Sequence, residues 1–206
     1  MSHGVVPDRL AEGARAGIGP LARALAGMGI SANAVTIAGG VLTIVGSGFV
    51  AASWPLPALL VLLVGTLADT LDGQLAKAAG GGTRLGAFLD STVDRIADGA
   101  LFVGAAGAGA NLGQPLLLWS SLIALVASSL VPYVRAKAES LGVSASVGPA
   151  PREARIVIFL IGLAAWALFD LEALFVAAIF VLAVLSTITF ALRVVHVSRK
   201  LSTRER

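Results

Sequence analysis

The chain has no cysteine, which excludes a disulfide framework and a thiolate-held metal. Its two histidines, His3 and His196, lie near the termini, which argues against an imidazole-based zinc site. Charge is scarce too. Asp, Glu, Lys and Arg make up 13% of the 206 residues, against about 25% in a soluble domain. The first 30 residues hold Asp8, Arg9, Glu12, Arg15 and Arg23 but no long apolar run, so no cleavable signal peptide is expected. What is abundant is apolar surface, at 57% of residues, together with 24 glycines. That balance suits helices packed closely in lipid better than a soluble core. The net charge of +3 does not point to nucleic acid, because the basic residues cluster in and beside the connections between apolar runs.

Residues 7–28 read as an amphipathic helix. Leu10, Ala14, Ile18, Leu21 and Leu25 recur at helical spacing, Arg9, Arg15 and Arg23 lie elsewhere, and Gly17, Gly19 and Pro20 bend it. Such a segment suits the surface of an anionic leaflet. Ser31 to Asn33 then read as a helix cap. Apolar helices follow over about 34–52, 56–79, 85–109, 115–138, 153–169 and 173–198, each near the ~20 residues that cross a bilayer. Residues 53–57 form a turn with an interfacial Trp54, Gly80 to Gly82 break the second helix from the third, and 139–152 is a polar loop. The expected fold is an all-α integral membrane protein: an interfacial helix (1–30), a six-helix transmembrane domain (31–198) and a frayed basic tail (199–206).

The basic residues set the orientation. Arg9, Arg15 and Arg23 precede the first span. Lys77 and Arg84 flank the turn after the second, with Arg95 further on. Arg135, Lys137, Arg152 and Arg155 border the loop after the fourth. Arg193, Arg199, Lys200, Arg204 and Arg206 end the sixth. The other turns have none. Both termini and these connections are therefore expected on the cytoplasmic side of the cell membrane.

Four of the twelve acidic residues fall between Asp69 and Asp94, inside apolar flanks. A carboxylate at the centre of a spanning helix costs roughly 2.5–3.5 kcal/mol on insertion scales, so four together need compensation. Counted from Gly81, Asp72 and Asp90 each lie nine residues away, while Asp69 and Asp94 lie twelve and thirteen away. At about 1.5 Å per residue the pairs reach matching depths on an antiparallel hairpin. The i, i+3 and i, i+4 spacings hold each pair on one helix face. All-oxygen ligation suits Mg²⁺, Mn²⁺ or Ca²⁺, and Mg²⁺ commonly binds through carboxylates plus substrate phosphates. Gly73 and Ala76 leave room beside that face, and Lys77 and Thr83 suit phosphate oxygens near the interface. The bland alternative is that the acids pair with Lys77, Arg84 and Arg95 as buried salt bridges. Asp98 is expected to do so with Arg95, at i, i+3.

The pattern Asp69-x-x-Asp72-Gly73-x-x-Ala76-Lys77-x8-Gly86-x3-Asp90-x3-Asp94 resembles the signature of the CDP-alcohol phosphotransferases, with lysine where the family has arginine. Lysine keeps the charge and loses the bidentate fork. The resemblance spans nearly the whole chain. It implies that Asp69, Asp72 and Asp90 hold two divalent ions, Mg²⁺ or Mn²⁺, with Asp94 also touching the second. It implies that Asp94 is general base on an acceptor hydroxyl that attacks the β-phosphate of a CDP-linked lipid, releasing CMP. Ser31, Asn33, Gly73, Lys77 and Thr83 would contact the CDP-lipid. Relatives of this family are commonly homodimers, and small residues such as Ala100 and Gly104 would suit helix contacts.

The run GGGTRLGAFLDSTVDRIADG further resembles the actinobacterial branch of that family, which joins CDP-diacylglycerol to inositol 1-phosphate. It implies an acceptor-phosphate pocket of Arg135, Arg155 and Arg193. Positive-inside topology alone accounts equally well for any one of these arginines. Glycerol 3-phosphate is the alternative acceptor, and a divalent-cation carrier is the alternative from a different class.

Overall fold

The computed structural model describes residues 19–78 and 80–204. Residues 7–18 of the expected interfacial helix lie outside the described residues. Its remainder is helical over 19–27 (α1). Six longer helices follow: α2 (Ala32–Ala51), α3 (Pro55–Ala78), α4 (Arg84–Asn111), α5 (Pro115–Ser140), α6 (Arg152–Phe169) and α7 (Glu172–Arg204). The described residues form no strand.

Local chemistry sets these boundaries. Ser31 Oγ accepts the Ala34 amide at 3.2 Å, which caps α2 as expected. Gly80 and Gly81 have φ of +93° and +116°, a region only glycine enters cheaply, and they separate α3 from α4. Pro115 opens α5, and Asp170, left-handed at φ 56°, closes α6. The tail corrects the expectation. It stays helical to Arg204 rather than fraying from 199, because Val197 and Leu201 pack against buried Ala138, Val143 and Ala145.

Helices α2, α3, α5 and α7 are long and apolar enough to cross a membrane. Helices α4 and α6 are not apolar enough to join them, for a visible reason: α4 carries Arg84, Asp90, Asp94, Arg95 and Asp98, and α6 carries Arg152, Glu153 and Arg155. Large apolar side chains lie bare along the helices, including Val126, Ile161 and Phe180, as lipid-facing surface requires. The chain is a multi-pass membrane protein.

The chain divides into two compact units, Met1–Gly46 with Leu60–Ala97 and Ser47–Leu59 with Asp98–Arg206. In the first, α2 meets α3 where both lack side chains. A Cβ on Gly39 would lie 3.1 Å from Ala68 Cβ and 3.3 Å from the Gly65 carbonyl, and one on Gly65 would lie 3.1 Å from Thr43 Oγ1. Gly40 is pressed against Val93 of α4 in the same way.

In the second unit, α7 packs along α5 and α6. Its core is aromatic. Phe159 meets Phe102 and Phe175 edge-on, with centroids 6.4 and 5.4 Å away, and Trp166 stacks on Phe175 at 5.4 Å. Gly104 abuts the backbone of Ser47 within the chain. Its lack of a side chain is therefore used within the chain.

Candidate active site

Packing at Gly39 and Gly65 brings Thr36, one turn earlier on α2, against Asp72 of α3. The Thr36 hydroxyl donates to Asp72 Oδ2 at 2.6 Å. Asp72 is 7% exposed, so this bond satisfies a carboxylate that water scarcely reaches. Asp69, Asp90 and Asp94 form a second group, in which one carboxylate oxygen from each lies within 4.8 Å of the others. Asp69 and Asp90 both act electrostatically on Asp72. The hairpin therefore gathers all four acids, as depth counting predicts.

The donor set is all oxygen, it is densely anionic, and it stands in one compact unit. Those properties fit hard divalent cations and poorly fit soft ones. Of the salt bridges the alternative reading expects, one is seen at Asp94. Arg95 Nη2 stands 3.6 Å from Asp94 Oδ2, an arginine that is 40% exposed beside a carboxylate that is 14% exposed. Three carboxylates so close repel one another unless a cation lies among them.

Beside these acids is a cavity of about 520 Å³, within the range of small-molecule sites. Ser31, Asn33, Thr36, Asp72, Gly73, Thr83, Gly86 and Asp90 are among the residues that line it. A Cβ on Gly73 would meet nothing within 4 Å, so that glycine opens onto free space. Gly86 is tighter. Its Cβ would lie 3.1 Å from Asn33 Oδ1 and 3.2 Å from Thr83 Oγ1. The Thr83 hydroxyl is fixed by the Gly86 amide, which donates to it at 2.9 Å.

Of the five residues predicted for a CDP-lipid, Ser31, Asn33, Gly73 and Thr83 meet in this cavity. Lys77 is not in its lining; it is exposed in the last turn of α3. Thr36 escapes sequence reasoning, because a threonine in an apolar helix gives no sign of facing a carboxylate 36 residues away.

The predicted acceptor arginines lie in the second unit, where Arg193 is in electrostatic reach of both Arg135 and Arg155. They differ in setting. Arg135 is exposed and pairs with Glu139 one turn on, at 2.8 Å. Arg155 is 5% exposed and Arg193 is 8% exposed. Arg155 Nη2 donates to Asp98 Oδ2 at 2.9 Å, and Arg152 Nε donates to Asp98 Oδ1 at 3.2 Å. This corrects the expected Arg95–Asp98 pair: Asp98 turns to two arginines 54 and 57 residues away.

An acidic, oxygen-only centre beside a nucleotide-sized cavity on membrane helices defines a membrane phosphotransferase. The match of the CDP-alcohol phosphatidyltransferase model to residues 29–200 makes the chain a member of that family, and an enzyme rather than a carrier. Phosphatidylinositol phosphate synthase of Mycolicibacterium smegmatis is 38% identical over 182 residues, which cover 85% of this chain and 81% of that protein. Two crystal structures of Mycobacterium tuberculosis phosphatidylinositol phosphate synthase are similar at 34% identity. The one with manganese and citrate has a TM-score of 0.81 and covers 87% of this chain and 88% of that one. The one with CDP-DAG bound has a TM-score of 0.80 and covers 87% and 92%.

Proposed function

We propose that this enzyme transfers the phosphatidyl group of CDP-diacylglycerol to inositol 1-phosphate, releasing CMP and forming phosphatidylinositol phosphate. The observation that carries the reading is the cluster of Asp69, Asp90 and Asp94 beside the cavity that Asp72 lines with Asn33, Gly73 and Thr83. The relatives named for this reaction support the choice of substrates.

Asp69, Asp72, Asp90 and Asp94 would hold two divalent ions, Mg²⁺ or Mn²⁺, which would supply positive charge to the diphosphate and the leaving group. Thr36 keeps Asp72 oriented toward the site. Ser31, Asn33, Gly73 and Thr83, with Lys77 from outside, bind the cytidine diphosphate. Arg155 and Arg193, with Arg135 at the margin, bind the acceptor's phosphate. The Asp94 carboxylate takes the proton from the acceptor hydroxyl. That hydroxyl oxygen bonds to the β-phosphorus, the phosphorus–oxygen bond to CMP breaks, and CMP leaves with the electron pair.

Six spans, with α4 and α6 crossing as well as the four apolar helices, belong to the same reading. So do an interfacial segment at 1–30, cytoplasmic termini and active site, placement in the cell membrane, and a homodimer. The test is CMP release from CDP-diacylglycerol with each acceptor supplied separately. Turnover with inositol 1-phosphate is expected. Equal or greater turnover with glycerol 3-phosphate overturns the assignment.

A further inference from the structure

Asp98 is a buried carboxylate that the proposed reaction does not use. It stands on α4, is 8% exposed, and spends each oxygen on a different arginine. Using both oxygens fixes the plane of the carboxylate. Arg155 is fixed in turn, because its Nη2 donates to Asp98 and its Nη1 donates to the Ala150 carbonyl at 3.1 Å.

Arg193 is anchored on the same short segment. Its Nε donates to the Val147 carbonyl and its Nη1 to the Val131 carbonyl, each at 2.9 Å. The segment 147–150 is itself held down. The Ala150 amide donates to Thr189 Oγ1 at 3.1 Å, and Gly148, at φ +116°, lies so close to Thr189 that no side chain would fit between them. Two buried guanidiniums thus share one rigid support.

Their charge is balanced unequally. Asp98 offsets Arg155, whereas the two hydrogen bonds from Arg193 go to neutral carbonyls; the acid that acts on Arg193, Glu139, is already paired with Arg135, and both Arg135 and Arg155 repel it. A buried cation with too little negative charge around it is costly. The arrangement therefore favours an anion with several oxygens, and a phosphate monoester has that chemistry.

We propose that Asp98 is a positioning residue that sets recognition of the phosphorylated acceptor by fixing the direction of Arg155. The proposal rests on the reading that Arg155 and Arg193 receive the acceptor's phosphate. Asp98 does not touch the acceptor itself. Replacing it frees the Arg155 guanidinium to rotate and weakens acceptor binding, while CDP-diacylglycerol binding stays as it was.

The experiment uses the full chain in lipid vesicles, varying CDP-diacylglycerol and inositol 1-phosphate separately. Asp98→Asn is expected to raise KM for inositol 1-phosphate tenfold or more. KM for CDP-diacylglycerol and kcat at saturating acceptor should stay within threefold, and Asp98→Glu should recover part of the loss. Inositol 1-phosphate should also protect the parent, but not Asp98→Asn, against thermal unfolding. An unchanged acceptor KM, or a parallel loss for both substrates with a lowered melting temperature, overturns the proposal and leaves a structural ion pair. If Asp98→Asn does not fold, Thr189→Val removes only the hydroxyl that holds the Ala150 amide. It should raise the acceptor KM alone, and no change there overturns the proposal. A parent that turns over glycerol 3-phosphate but not inositol 1-phosphate refutes the acceptor assignment; the same comparison read on glycerol 3-phosphate still decides the role of Asp98.

Discussion

The Thr36 hydroxyl donates to Asp72 Oδ2 at 2.6 Å and ties α2 to the acidic hairpin. A hydrogen bond to a charged group contributes about 1.5–3 kcal/mol, and losing such a support typically lowers metal affinity about 10–100-fold. Thr36→Val keeps the side-chain shape and removes the donor. The metal concentration for half-maximal CMP release should rise about tenfold or more, while Thr36→Ser should stay near the parent. Titrating CMP release with Mg²⁺ or Mn²⁺ checks this.

Asp94→Asn should abolish CMP release without unfolding the chain. Its effect on stability has a definite sign. The oxygens of Asp69, Asp90 and Asp94 lie within 4.8 Å of one another, so removing one charge relieves repulsion when no cation is bound, and the long ion pair to the exposed Arg95 that is lost with it contributes little. In excess chelator the variant should melt at or above the parent. Added divalent ion should stabilise the parent, by about 2.7 kcal/mol at a hundred times Kd, and stabilise the variant less. Paired melting curves with and without chelator test both halves, and near-normal turnover would remove Asp94 as base.

Gly73→Ala should separate stability from binding. A Cβ there meets nothing within 4 Å, and alanine in a helix is favoured over glycine by roughly 0.5–1 kcal/mol. Stability should hold or rise. The added methyl projects toward the cavity, so KM for CDP-diacylglycerol should rise several-fold with kcat little changed. A lowered melting temperature would contradict the open space seen at this position.

The absence of cysteine makes orientation directly measurable. Gln114 and Lys200 are both exposed. In sealed vesicles of known polarity, Gln114→Cys should react with an impermeant maleimide from the outside only, and Lys200→Cys from the cytoplasmic side only. Labelling of both from one side would overturn the topology.

The hairpin was legible because charge inside apolar sequence is a strong signal, and glycines at 80–82 mark where the helices reverse. Spacing on each helix then brought Asp69, Asp72, Asp90 and Asp94 together. Helix boundaries followed from Ser31, Pro115 and Asp170, and all but the end of α7 fell within two residues of expectation. Long-range pairing was not legible. Arg95 is the nearest cation to Asp98 in sequence, yet tertiary packing gave Asp98 to Arg152 and Arg155. The same holds for Thr36, whose partner is set by how closely Gly39 and Gly65 let two helices approach. The tail misled for a related reason: a run rich in charge reads as frayed unless the packing of Leu201 against Val143 and Ala145 is known.

Helix α7 has 33 residues, about 50 Å at 1.5 Å per residue, whereas the hydrocarbon of a bilayer is about 30 Å thick. Some 20 Å of the helix must therefore stand in the headgroup layer and beyond. Arg193 comes 21 residues after Glu172, about 32 Å along the axis. With Glu172 at the outer boundary, Arg193 falls where hydrocarbon gives way to headgroups. If Arg193 takes the acceptor's phosphate as proposed, an acceptor too polar to enter oil never needs to, because that arginine sits at the waterline.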